Sequence, residues 1–213
     1  MLCLLKFNNA NAQTEVEPNG IWNQSLAITL GNTADGSAGL GHEEDWWRVS
    51  IPEDGALTVN WGSNGFHLYC QIYDTLGTVV LFSNYTNGSS SGTASGIAKG
   101  TYYIKMVNYY PGEISNYTLT PSFTPAPVAN DAEPNGTFAT ANTFPLNSTT
   151  TGHCHYYFNN EKDTLDWYTI TTTVSGQLSW TISSQNGNLI FTDLINGVGI
   201  TLITGKFTSN TLT

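Results

Sequence analysis

Residues 45–61 read DWWRVSIPEDGALTVNW, and two alternations inside this stretch decide the fold class. Trp47, Val49 and Ile51 alternate with Arg48 and Ser50; Leu57, Val59 and Trp61 alternate with Thr58 and Asn60. Successive side chains of a strand point to opposite faces, so each run predicts a strand with one buried and one solvated face. Glu53-Asp54-Gly55 supplies a turn between them. The pattern continues on the C-terminal side. Leu68, Cys70 and Ile72 share one face, which predicts Cys70 as a small buried hydrophobe. Tyr102, Ile104 and Met106 alternate with Tyr103 and Lys105, and Ser63-Asn64-Gly65 and Thr86-Asn87-Gly88 are further turns. No stretch keeps a 3.6-residue apolar period, and one short helical turn is expected near Phe138–Ala141. The expectation is an all-β fold of antiparallel β-sandwiches.

The same stretch belongs to an internal repeat. Asp45-Trp46-Trp47 returns as Asp166-Trp167-Tyr168, and Gly55-Ala56-Leu57 as Gly176-Gln177-Leu178, both 121 residues later. Upstream, Glu17-Pro18-Asn19-Gly20 returns as Glu133-Pro134-Asn135-Gly136, 116 residues later. Three ordered matches at a nearly constant offset mark two copies of one unit, and the five extra residues fall where a loop insertion costs little. Between the copies, Pro121, Pro125 and Pro127 stiffen the chain. The expected organisation is a domain over 14–122, a Pro-rich linker over 123–128 and a second, incomplete domain over 129–213. Counterparts of the strands at 100–107 and 116–120 fall past position 213, which would expose core and an unpaired edge. A covalent continuation beyond residue 213 is the favoured explanation, with strands supplied by another chain as the alternative. Residues 1–13, with the short apolar run Met1–Leu5 and small residues at Ala10–Ala12, read as the remnant of a secretory signal, or else as a frayed terminus.

Composition narrows the function. Six Lys+Arg stand against 16 Asp+Glu, a formal net charge of −10, while Thr (30), Asn (22), Gly (21) and Ser (17) fill 90 of 213 positions. Six cations cannot coat a phosphate backbone or hold a polybasic membrane contact, so neither nucleic acid nor membrane is an expected partner. The 11 Tyr, 9 Phe and 6 Trp are too many for a disordered chain. A β-rich protein, secreted or at the cell surface, is the class that remains. Three cysteines without a CxxC give no disulfide framework and no zinc knuckle.

The acidic residues cluster. Glu15, Glu17 and Asn19 fall on one side of an extended segment, and Glu43-Glu44-Asp45 follows just before a strand. Asp131, Glu133 and Asn135 repeat the first element; Asp163 and Asp166 repeat the second. Hard oxygen donors from two loops suit Ca²⁺, which takes about six to eight oxygens. Crowded carboxylates without Lys or Arg partners repel one another unless a cation neutralises them. A solvated acidic loop is the alternative for a single trio; the recurrence of the spacing favours a Ca²⁺ site in each copy. Two Ca²⁺ would bring the net charge from −10 to about −6.

These motifs, the acidic x-Glu-Pro-Asn start, the Asp-Trp-Trp/Tyr strand, the Gly-x-Leu strand and Gly100-Thr101-Tyr102-Tyr103-Ile104, resemble the bacterial pre-peptidase C-terminal domain, a family that includes the collagen-binding domains of clostridial collagenases. The resemblance covers 14–121 and, as an incomplete copy, 129 to about 205. It implies a jelly-roll-like sandwich exported as an accessory module of a peptidase or other exoenzyme. It also implies Ca²⁺ held between the N-terminal acidic segment and the loop before the Asp-Trp strand. By position, the implied ligands are Glu15, Glu17, Asn19 and Asp45 in the first copy. In the second they are Asp131, Glu133, Asn135, Asp163 and Asp166. The chain departs from the pattern at Gly20 and Gly136, where a side-chain oxygen is usual. It departs again at His42, which stands where the second copy has Asp163, so that Glu43 or Glu44 would substitute.

If Tyr102, Ile104 and Met106 face the core, Tyr103 faces out near Tyr109 and Tyr110. Exposed tyrosines make flat, low-entropy contacts with an extracellular protein or glycan polymer, and the collagen-binding relatives use tyrosines in this region. Ordinary strand-surface tyrosine is the alternative. Catalysis by the chain itself is not expected. Gly88-Ser89-Ser90-Ser91-Gly92 matches the nucleophile-elbow spacing but lies in an Asn/Gly/Ser-rich loop with no helix after it. His153 and His155 lack a third ligand at metal spacing and are expected on the surface. The leading reading is a non-catalytic, Ca²⁺-binding attachment module of a larger exported protein. The alternative is a stalk or structural repeat of an extracellular assembly that exchanges strands.

Overall fold

The computed structural model describes residues 12–39, 44–64, 67–110, 112–158, 161–184, 190–199 and 201–207. The fold is all-β, and two sheets pack as a sandwich. Among the described residues the helical elements are two single 3-10 turns, Trp22–Gln24 and Phe138–Thr140. In chain order the sandwich strands are β1 (Gln13–Thr14), β2 (Leu26–Ala27), β3 (Ala34–Ala38), β4 (Glu44–Ile51), β5 (Gly55–Ser63), β6 (Leu68–Tyr73), β7 (Val80–Thr86), β8 (Ser89–Ile97), β9 (Gly100–Asn108) and β10 (Ser115–Pro125). One sheet has the order β1-β3-β10-β5-β8, the other β2-β4-β9-β6-β7. From β4 to β6 and again from β7 to β10 the chain changes sheet at every turn, in the manner of a jelly roll. The sheets are mixed rather than purely antiparallel: β1 pairs with β3, and β2 with β4, in parallel. These two-residue strands dock on edges and run alongside their neighbours.

The alternations place the core as expected. Trp47, Val49 and Ile51 of β4 meet Leu57, Val59 and Trp61 of β5, with Leu68, Cys70, Ile72, Tyr102, Ile104, Met106 and Leu119 between the sheets. Each such side chain contributes about 1.5–3 kcal/mol on burial. Trp47 is fully buried, and its indole N–H donates to the Tyr117 hydroxyl at 2.9 Å. Gly92 is required by close approach, because a Cβ there would enter the Phe82 ring. The Gly88–Gly92 stretch leads into β8, where Ser90 pairs with Trp61, and β9 rather than a helix follows; it is a strand with no elbow geometry.

Strand β10 continues through Phe123 to Pro125, into the stretch expected as linker, because Phe123 packs against the core. Pro121 and Pro125 are tolerated there because β3 pairs only as far as Leu119, leaving one side of β10 without a ladder. The second copy repeats the local geometry of the first. β11 (Asn142–Thr143) pairs in parallel with β14 (Tyr168–Thr169), as Leu26–Ala27 does with Trp47–Arg48. Trp167 N–H donates to the Asn135 carbonyl at 3.0 Å, matching Trp46 to Asn19 at 3.0 Å. Between these strands, β12 (Tyr157–Phe158) pairs with β13 (Glu161–Lys162) and adds in parallel to β8 at Ile97, extending the first sheet.

His153 departs from its expected surface position. It is 5% exposed, its ring stacks on Tyr156, and its nitrogens lie 3.3 Å from Asp54 Oδ2 and 2.7 Å from the Val128 carbonyl. Docking of the second copy on the first covers it; His155 stays exposed. Two compact units result, 1–170 and 171–213. In the latter, β15 (Ile190–Ile195) and β16 (Thr201–Phe207) form an antiparallel hairpin. Residues 171–184, in which Gly176-Gln177-Leu178 repeat the start of β5, carry no strand, since a strand needs neighbours to take its hydrogen bonds.

Candidate metal centres

The first cluster forms where the N-terminal segment crosses the start of β4. Strand β1 holds Glu15 in place, and Glu15 N–H donates to the Asp35 carbonyl at 2.9 Å. Glu15 Oε2 accepts Ser37 N–H at 2.6 Å and its Oε1 accepts the Asn19 amide at 3.1 Å. Glu17 Oε2 accepts Asn19 N–H at 3.0 Å. Asp45, at the start of β4, points inward and is fully buried. One oxygen from each of Glu15, Glu17 and Asp45 lies within 4.8 Å of the others. Asn19 is also fully buried. Its Oδ1 and both Asp45 oxygens have no hydrogen-bond donor. An open groove of about 910 Å³, lined by Asp35, Gly36, Ser37, Asn64 and Asn116 beside the carboxylates, gives a cation access.

The second cluster has the same construction. Glu133 Oε2 accepts Asn135 N–H at 3.0 Å, and Asp131 Oδ2 accepts the Asn135 amide at 2.6 Å. Asp131, Glu133 and Asp166 offer oxygens within 4.8 Å of one another. Fully buried Asn135 again has an Oδ1 without a donor, as do Asp131 Oδ1, Glu133 Oε1 and Asp166 Oδ1. Asp163 stands at the margin: Leu165 N–H donates to its Oδ1 at 3.3 Å, and its Oδ2 is buried without a donor. The fold brings in three neighbours that carry no local signal in the chain. Tyr168 hydroxyl and the Asn142 amide donate to Asp131, and the Cys154 thiol donates to Asp166 at 3.1 Å.

Electrostatics sets these carboxyls apart. Burial, then the Glu15 carboxyl and less strongly that of Glu17, with the Tyr117 hydroxyl opposing, push Asp45 up to about 9 from 3.8. Burial, with the Asp163 and Asp131 charges added and the Cys154 thiol opposing, pushes Asp166 up to about 6. Burial also raises Glu133. Burial and the neighbouring Asp166 push Cys154 up to about 12. Such sites are short of positive charge and of donors.

Glu44 does not join the first cluster. Alternation along β4 turns it to the face opposite Asp45, where it pairs with Lys105 at 2.6 Å. Glu44→Gln is therefore expected to leave metal affinity unchanged and to cost less than about 1 kcal/mol in urea unfolding. A tenfold loss of calcium affinity would contradict this placement. Glu43 and His42 lie outside the described residues. Tyr103 faces outward as expected but does not meet Tyr109 and Tyr110. Its ring contacts are Trp22 at 5.7 Å and Trp46 at 6.5 Å, because four residues of β6 separate its row of the sheet from theirs.

No protein-family model matches the sequence, and no curated protein matches it in sequence. Solved structures similar to about half of the chain include the pre-peptidase C-terminal domain of a Bacillus anthracis collagenase (15% identity, TM-score 0.40, 51% of this chain and 100% of that one). They also include the periplasmic inhibitor of g-type lysozyme from Aeromonas hydrophila (14%, 0.33, 47% and 99%). A third is a β-glucosidase from Paenibacillus barengoltzii (16%, 0.27), of which the match covers 12%, against 50% of this chain.

Proposed function

We propose that this chain is a non-catalytic accessory module of the pre-peptidase C-terminal type, exported, and attached to a larger enzyme or adhesin. Each copy binds one structural Ca²⁺, and the module anchors its partner domains to a polymer or surface. The observation that carries the calcium reading is the pair of buried asparagines. Asn19 and Asn135 each use their amide N–H₂ on a carboxylate of the cluster and leave a fully buried carbonyl oxygen without a donor. An unsatisfied buried oxygen costs about 1–3 kcal/mol, and here it recurs beside three carboxylates in both copies. A hard divalent cation removes the deficit at both. Its chemistry would be charge neutralisation, by Glu15, Glu17, Asn19 and Asp45 in one copy and by Asp131, Glu133, Asn135 and Asp166 in the other. Bound there, it would pin the segment before each sandwich to the following Asp-Trp strand.

Titration calorimetry of the chelator-treated chain tests this. Two Ca²⁺ per chain are expected, falling to one in Asp45→Asn and to one in Asp166→Asn. No binding at millimolar calcium, with an unchanged melting temperature, would sink the reading.

A further inference from the structure

We propose that the outer face of the β2-β4-β9-β6-β7 sheet binds a neutral, linear polysaccharide, its sugar rings lying on two aromatic clusters. This rests on the attachment-module reading and names its ligand class. Because Leu68, Cys70 and Ile72 fill the core, Tyr69, Gln71 and Tyr73 line the outer face. Cross-strand register sets Tyr69 beside Tyr85, Gln71 beside Ser83, and Tyr73 beside Tyr103.

At one end Tyr69 lies 5.4 Å from Tyr85 and 5.3 Å from Tyr109, and Tyr85 stacks on Tyr109 at 5.7 Å with an interplanar angle of 24°. Tyr110 sits edge-on to Tyr109 at 4.7 Å, and His67 closes the group 5.5 Å from Tyr110. Tyr85, Tyr109 and Tyr110 are about half exposed (51%, 44% and 45%). At the other end half-exposed Trp22 stands on Tyr103, backed by Trp46 and Tyr73. Four residues of β6 separate the two ends, about 13 Å at the strand rise. Between them the Gln71 amide and Ser83 hydroxyl, 3.3 Å apart, offer donors and acceptors.

The ligand class follows from three properties. The rings of the first cluster touch one another, so they form a platform and leave no slot for the caged cation that aromatic boxes take. Lys105 pairs with Glu44 and lies over Trp46, and exposed Arg48 donates to the Ser25 carbonyl. One uncompensated cation on a chain of charge −10 disfavours a polyanion. The half-exposed rings of the first cluster present about 300 Å². About 13 Å divides them from the Trp22 end, so the exposed rings suit a linear ligand that reaches both. Tyrosine and tryptophan rings with polar edges suit a ligand whose flat faces carry C–H and whose rim carries hydroxyls.

Affinity electrophoresis of the full chain in gels containing hydroxyethylcellulose, xylan, galactomannan or laminarin tests the proposal, with polygalacturonate and gelatin as comparisons. Retardation by at least one neutral glycan and none by polygalacturonate is expected. Tyr85→Ala and Tyr109→Ala should each weaken it about tenfold, the loss of one stacking partner. Trp22→Ala should weaken binding of the long polymer more than of a short oligosaccharide. All three variants should melt within a few degrees of the parent, since the residues are exposed. Failure of all four neutral glycans, retardation unchanged in the tyrosine variants, or retention by gelatin alone would each overturn the proposal. Runs with calcium and with chelator separate the two readings. Glycan binding by a chain that takes up no calcium would count against the metal sites alone. Calcium uptake without glycan binding would count against this face alone.

Discussion

In the presence of a chelator, the first sandwich is expected to lose stability steadily as pH rises from about 4 to about 9, and millimolar calcium is expected to restore most of it. Asp45 is the dominant group, with its carboxyl raised from 3.8 to about 9 by burial and by the Glu15 and Glu17 carboxyls. Between those values the folded metal-free chain holds a proton that the unfolded chain releases. Folded protein therefore binds more protons, and stability falls as pH rises. The contribution is fully present below 3.8 and is lost as pH passes about 9. In the second copy, Asp166 produces a separate, smaller fall between 3.8 and about 6. One pKa unit corresponds to about 1.4 kcal/mol, so a shift as large as that of Asp45 represents several kcal/mol. Calcium replaces the proton as the neutralising charge, and at a hundredfold excess over its dissociation constant one ion adds about 2.7 kcal/mol. Urea unfolding at a series of pH values, with and without calcium, measures this. Asp45→Asn should flatten the metal-free profile and abolish calcium rescue at the first site. A metal-free profile that rises from pH 4 to 9 is the result this account does not survive.

Trp47→Ala is expected to cost about 3–5 kcal/mol through the cavity it leaves. It removes the largest fully buried side chain of the sandwich. It also strips the hydroxyl of Tyr117, a residue 3% exposed, of the indole donor, which adds about 1–3 kcal/mol. Against a total stability of about 5–15 kcal/mol this leaves the domain marginal or unfolded. Trp47→Phe keeps most of the packing and loses the donor, so it separates the two contributions. Calcium binding at the first site should weaken in both variants, because the Tyr117 hydroxyl and Glu15 Oε2 press together against Gly36 and Asp45 lies two residues from Trp47. A loss below about 1 kcal/mol for Trp47→Ala in urea unfolding would contradict the packing described.

The sequence by itself determined the class of the fold, the inward residues of its strands and the twofold recurrence of the acidic motif. Alternation is a local property of an extended backbone, so Trp47, Val49, Ile51, Leu57, Val59 and Trp61 declare their face before any partner strand is known. The ordered recurrence of Glu17-Pro18-Asn19 and Asp45-Trp46 likewise announces a shared geometry, and it is met in both copies down to the backbone hydrogen bond that the Trp N–H donates to the Asn carbonyl. Tertiary structure alone decided which residues meet. That outward Glu44 meets Lys105 depends on the register of β4 against β9. That Cys154, Asn142 and Tyr168 surround the second cluster depends on contacts across 11 to 37 residues. His153 is buried because the second copy docks on the turn carrying Asp54. Tyr69 and Tyr85, silent in the sequence, become a platform with Tyr109 because pairing of β6 with β7 and β9 sets their rows side by side. Periodicity fixes the direction of a side chain relative to its own strand, whereas its neighbours are chosen by long-range pairing, which leaves no local signature in the chain.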